Sequence, residues 1–196
     1  LQAPDFRVIR EEHYLPAITE GMARHLAEIR TIADNAEPAT VANTLEAMER
    51  SGELLTRASQ VFFNVAGTDS NDALRKIQSE VAPKLAAHQD AILLDPALFA
   101  RVKALYDARE SAGHDPETLR LIDVTYNSFV RAGAELSDAD KVKVRALNEE
   151  QASLTTAFQQ TLMKQTDRAA VIVDDVAQLD GLDAAAIAAA AKAATD

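Results

Sequence analysis

Apolar side chains recur along most of this chain at the three- and four-residue spacing of a helix face. Ile18, Met22, Leu26, Ile29 and Ala33 form the first stripe. Pro16, just before it, suits a first helical turn, where its missing N–H costs nothing. Asn35 to Ala39, with Pro38, breaks the pattern. The spacing then predicts a helix capped by Thr40 and running to about Ala66, with Val41, Leu45, Met48, Leu55, Phe62 and Val65 on its face. Asn43 can return a hydrogen bond to the Thr40 amide, as the acidic residue of a capping box does. Gly52 lies inside this helix, where glycine costs about 1 kcal/mol relative to Ala. Either the helix is interrupted at Ser51-Gly52 or a neighbour packs closely there; close packing is the preferred reading.

A third helix is expected after a cap at Asp69 or Ser70, with Leu74, Ile77, Val81, Leu85, His88 and Ile92 in phase through Pro83, which should kink it. Asp95-Pro96 and Asp115-Pro116 repeat one start signal, an Asp N-cap followed by Pro at the first helical position. The first opens a helix with Leu98, Phe99, Val102, Leu105 and Tyr106, ending near Gly113. The second carries Leu119, Ile122, Tyr126, Phe129 and Val130 and ends near Gly133. Ser137 caps a long helix with Val144, Leu147, Leu154, Phe158 and Leu162. Beyond Asp167 the texture changes to a short β-like run, Val171-Ile172-Val173, a turn at Asp180-Gly181, and a stretch at 184–194 with nine Ala in eleven residues. The prediction is an all-α protein of six to seven helices in antiparallel pairs. Residues 1–166 form the helical domain, and 167–196 form an acidic, Ala-rich segment.

Composition narrows what such a bundle could do. Cys is absent, which excludes disulfides, thiolate metal sites and a Cys nucleophile. The net charge of -11 disfavours nucleic acid or an anionic membrane as a partner. No apolar run reaches the ~18 residues of a transmembrane helix. The opening Leu1-Gln2-Ala3-Pro4 has neither an initiator Met nor a signal segment, so a processed or cut chain is expected, and cytoplasm and periplasm both stay open.

Catalytic patterns are missing. The glycines are too scattered for a phosphate loop, and neither Gly-x-Ser-x-Gly nor His-Glu-x-x-His occurs. Of the four histidines, His13 follows Glu11-Glu12 without helical ligand spacing. His88 and Asp90, two residues apart, point to different helix faces, which is poor for a shared metal. His88 reads as a semi-buried hydrogen-bonding residue near Pro83, His114 as solvated, and His25 has no motif around it. The pairs Glu11-Glu12, Glu149-Glu150 and Asp174-Asp175 read as solvated faces or caps, because acid–base work needs a carboxylate in an apolar pocket. Tyr126 and Phe129 read as core. Of Phe62-Phe63, one ring should point inward and the other to a flank. No catalytic, cofactor-binding or metal-ligating residue is assigned.

Several stretches resemble the N-terminal region of the thimet-oligopeptidase family of zinc metallopeptidases, nearest its bacterial peptidyl-dipeptidase and oligopeptidase A branch. They are Phe6-Arg7-Val8-Ile9 with His13-Tyr14-Leu15-Pro16-Ala17-Ile18, and Pro38-Ala39-Thr40-Val41-Ala42-Asn43-Thr44-Leu45 continuing through Glu49, Gly52, Leu55, Arg57, Phe63 and Asn64. Glu80-Val81-Ala82-Pro83 with Leu85, His88 and Asp90 follows, then Leu98-Phe99. Phe129-Val130-Arg131-Ala132-Gly133-Ala134 with Leu136 and Leu147-Asn148-Glu149 completes the set. Val41 replaces a usual aromatic and Ala42 a common acidic residue. The resemblance implies a channel-wall domain of a zinc peptidase that trims short peptides. Zinc and its His-Glu-x-x-His helix would lie in a catalytic domain beyond residue 196. It implies no cofactor and no activity in residues 1–196. The partners it implies are that catalytic domain and, in the parent, short peptides; an isolated fragment would self-associate. The alternative is a free-standing acidic helical interaction domain using the 167–196 segment. A third reading, a metal-independent site built from Glu and His, would require a convergent pocket holding a carboxylate of raised pKa.

Overall fold

The computed structural model describes residues 4–169 and 171–194, the side chain of residue 167 excepted. It is helical, with no strand among the described residues. Seven helices have ten residues or more: α1 (Tyr14–Ala33), α3 (Glu53–Thr68), α4 (Asp72–Leu93), α5 (Pro96–Ala108), α6 (Pro116–Ala132), α7 (Asp138–Arg168) and α8 (Ala184–Ala193). A five-residue α2 (Glu46–Arg50) follows a wide π-helical turn at Val41–Leu45. None of the described helices is long and apolar enough to cross a membrane.

The capping chemistry read from the sequence is present. Asp95 accepts from the amides of Ala97 and Leu98, and Asp115 from those of Glu117 and Thr118, each with Pro at the first helical position. Thr40 Oγ1 accepts from the Asn43 amide at 3.1 Å, and Asn43 Oδ1 accepts from the Thr40 amide at 2.8 Å. Ser137 Oγ accepts from the Asp140 amide. Gly133 ends α6 with φ of 102°, a left-handed conformation that glycine adopts without a steric penalty.

Three expectations change. The helix foreseen from Thr40 to Ala66 is interrupted at Ser51 and Gly52, because Gly52 has φ of 72°, outside the helical region. The close neighbour is present as well: a Cβ on Gly52 would lie 2.8 Å from His25 Nδ1. α4 is capped by Asn71, whose side chain accepts from the Leu74 amide, rather than by Asp69 or Ser70. Residues 171–175 carry no regular structure, since a strand needs a partner and the described residues supply none.

The chain divides into two compact units at Phe158 and Gln159, a point inside α7. In the first unit α1 packs against α3, α4 and α5, and α5 packs against α6. Two apolar clusters result. One joins Tyr14, Ile18 and Met22 of α1 to Leu55 and Phe62 of α3 and to Leu74 and Val81 of α4. The other joins Ile29 and Ile32 to Leu45, Ile92, Leu98, Val102, Ile122 and Phe129. Phe62 is fully buried while Phe63 is 39% exposed, the division expected for adjacent rings. In the second unit, Asp175 caps a 3-10 turn at Val176–Leu179 and Asp183 caps α8.

α1 and α3 pack tightly at Gly21, where a Cβ would lie 2.7 Å from the Leu55 Cα. Gly67, also helical, has nothing within 4 Å of such a Cβ. Gly21→Ala should therefore destabilise the fold by about 1–3 kcal/mol through overpacking. Gly67→Ala should stabilise it by about 0.5–1 kcal/mol through helix propensity. Urea denaturation of both variants checks the pair, and equal shifts of one sign would refute the packing assignment.

Candidate functional site

On α1, His25 lies between Met22 of the first cluster and Ile29 of the second; on α4, His88 lies between Val81 and Ile92. The Ser51–Gly52 break falls likewise between Leu45 and Leu55. These positions meet and form a polar layer where one apolar cluster gives way to the other.

The layer's bonds run in one direction. Ser51 Oγ donates to the Met48 carbonyl at 2.6 Å, so it is left to accept from His25 Nε2 at 3.1 Å. A neutral His25 protonated on Nε2 presents Nδ1 as an acceptor, and His88 Nε2 donates to it at 3.0 Å. His88 Nδ1 is then the unprotonated nitrogen, which matches its being buried without a partner. The Glu28 carboxylate accepts from the Gly52 amide at 2.7 Å and holds the break against α1. Burial, and then the neighbouring His25, push the His88 imidazole down from 6.5 to about 4. Burial also lowers His25, with the Glu28 carboxylate opposing. The geometry gives the same direction. A second proton on His25 would face the His88 N–H, and one on His88 would enter a buried position with no acceptor.

Two further polar ties link the helices. Arg101, 8% exposed on α5, donates to the carbonyls of Asn35 at 2.6 Å and Glu37 at 2.9 Å and to Asn43 Oδ1 at 2.7 Å. It fastens the connection between α1 and α2 to the core. The sequence reading missed Arg101, although its place one turn from Leu98 and Leu105 on the apolar face of α5 was the signal. Asp90, 4% exposed, accepts from Asn148 Nδ2 at 2.8 Å, which joins α4 to α7. His88 and Asp90 thus serve different neighbours, as their spacing predicts.

The remaining sequence candidates stay apart. His13 is exposed, and its Nδ1 accepts from the Arg10 amide. His114, expected in solvent, is half-buried in the α5–α6 loop. Glu149 and Glu150 are exposed, and Glu11 accepts from Asn71 Nδ2. Tyr126 stacks on Tyr106 with centroids 3.8 Å apart, over which the Arg109 guanidinium sits. An open cleft of about 550 Å³ adjoins His25, lined by Ile29, Leu45, Met48, Ile92 and Leu121, with Glu46, Glu49 and Arg50 around it. A second, of about 910 Å³, lies between the N-terminal segment and α3 beside Tyr14, Leu54, Arg57 and Val61. Neither brings a nucleophile against a base. Asp5, Asp115 and Asp140 have their carboxyl pKa lowered by hydrogen bonds, the direction opposite to a poised general acid. Among the described residues no three His, Asp or Glu side chains are grouped to hold a metal ion, so the zinc implied by the resemblance has no fitting ligand set in this part of the chain.

The histidine layer sets a pH dependence. The native state keeps His88 neutral while the unfolded chain takes up a proton near pH 6.5, so stability should fall as pH drops below 6.5 and level off near 4. The full loss is on the order of 3 kcal/mol. The lowered carboxylates lose most of their contribution below their ordinary value of 3.8, mostly outside this window. Urea midpoints at pH 7.5 and 4.5 should differ strongly in the natural chain and much less in His88→Gln. An unchanged difference in that variant would remove His88 as the cause.

No protein-family model matches the chain. The dipeptidyl carboxypeptidase of Escherichia coli strain K12 is 43% identical over 194 residues, covering 99% of this chain and 28% of that protein. The dipeptidyl carboxypeptidase of Salmonella typhimurium strain LT2 is 40% identical over 195 residues, covering 100% of this chain and 29% of its own length. Oligopeptidase A of Salmonella typhimurium is 19% identical over 187 residues, 95% of this chain and 28% of that protein. The chain therefore spans less than a third of the length of these relatives. Several residues that carried the resemblance, Thr40, Asn43, Gly52, His88, Asp90 and Asn148, are the ones that cap or tie its helices. By sequence, the chain is similar over essentially its whole length to dipeptidyl carboxypeptidases and, more distantly, to oligopeptidase A.

Proposed function

We propose that this chain is the non-catalytic N-terminal helical domain of a zinc metallopeptidase that trims short peptides, and that it forms part of the wall of the substrate channel. The observation that carries the reading is identity of 40–43% to dipeptidyl carboxypeptidases across essentially the whole chain. The local chemistry supports it: polar ties fix the relative positions of helices. A rigid helical wall narrows the approach to a catalytic centre, admitting unfolded peptides and excluding folded proteins. In the parent protein, zinc would polarise the scissile carbonyl and its bound water. The ligands for it would come from the remainder of the polypeptide, and the partners of this domain would be that remainder and the peptide passing along it.

Two measurements test the proposal. The source reading frame beyond the codon for Asp196 should encode His-Glu-x-x-His with a downstream Glu, and the protein it encodes should release dipeptides from short peptides in a zinc-dependent manner. Purified residues 1–196 should show no turnover of the same peptides. Activity in that purified chain would overturn the non-catalytic assignment. A stop codon directly after Asp196 would favour the free-standing interaction domain.

A further inference from the structure

Leu147, Leu154 and Phe158 of α7 are 63%, 62% and 69% exposed. Their spacing of seven and four residues puts them on one stripe of the helix. Single exposed leucines are ordinary on protein surfaces, but an aligned row of large apolar side chains marks a contact surface. The side of α7 turned toward α4 is small and polar instead. Asn148 reaches Asp90, Thr156 is buried, and Ala152 and Thr155 line a shallow cleft with Ala82 and Ala86. The helix thus attaches to its own unit through its polar side and leaves its apolar side unused.

We infer that this stripe of Leu147, Leu154 and Phe158 docks against the portion of the parent polypeptide that has no counterpart in this chain. The inference rests on the proposed function above. The relatives supply the occupant: this chain matches only 28–29% of the dipeptidyl carboxypeptidases, so the greater part of such a protein is available to cover the stripe. A contact within the same polypeptide also needs no charge complementarity, which suits a stripe whose own three side chains carry none.

The chain contains no cysteine, which allows a direct test. Leu154→Cys and Phe158→Cys are introduced separately into the 196-residue chain and into the protein encoded by the full reading frame. Maleimide labelling at each position is then followed by peptide mapping, which separates these sites from cysteines elsewhere in the longer protein. Both positions should label rapidly in the short chain and at least about ten-fold more slowly in the long one. Phe158→Glu should lower the melting temperature of the long protein and leave that of the short chain unchanged. Equal labelling rates in the two proteins would overturn the inference. Protection in the long protein that fades on dilution would overturn it too, by making a second copy the occupant. A reading frame that encodes no peptidase portion would remove the proposed function itself, an outcome distinct from equal labelling in a frame that does encode one.

Discussion

The hydrogen bond from His88 to His25 joins α4 to α1 at the level where the two apolar clusters part, and much of the first unit is organised around that level. A continuous apolar core would let the helices slide or rotate with little penalty, because hydrophobic contact is not directional. A hydrogen-bonded pair of imidazoles, His88 buried and His25 half-buried, is directional. Each ring must stay neutral, in one tautomer, with its single N–H aimed at one acceptor. The donor chain from His88 through His25 and Ser51 to the Met48 carbonyl supplies that arrangement and fixes α1, α2 and α4 together.

The break at Gly52 follows from the same constraint. The His25 ring needs the space that a side chain at position 52 would fill, and the backbone there takes a positive φ that glycine tolerates best. Leaving the helix frees the Gly52 amide, and the Glu28 carboxylate of α1 receives it. Arg101 performs a parallel task at the far end of the second cluster. Its buried guanidinium satisfies two carbonyls of the α1–α2 connection and the same Asn43 oxygen that completes the capping box. A buried charge held by oriented acceptors defines position more sharply than apolar packing does.

These ties suit a scaffold. His88, Asp90 and Arg101 each direct hydrogen-bonding atoms at neighbouring elements of the first unit. Large apolar side chains are left uncovered along α7, as they are at Phe6, Val8, Leu121 and Val124.

Much of the helical architecture was legible in the chain itself. The stripes of α1, α4, α5 and α6 announced themselves through period, and the two Asp-Pro starts, the Thr40–Asn43 box and Gly133 marked their ends, because periodicity and capping depend on residues within a turn or two of each other. What lay beyond that range was decided by the tertiary structure. The sequence posed interruption and close packing at Gly52 as alternatives, and both occur, since the break and the His25 contact require each other. His88 read as a semi-buried hydrogen-bonding residue near Pro83, but its partner was hidden because it lies 63 residues away on another helix. Arg101 went unread since its acceptors are backbone carbonyls, which every residue possesses and no sequence pattern marks. The sequence placed Leu147, Leu154 and Phe158 on a long helix; which way that helix turns them is decided by packing, and they are exposed.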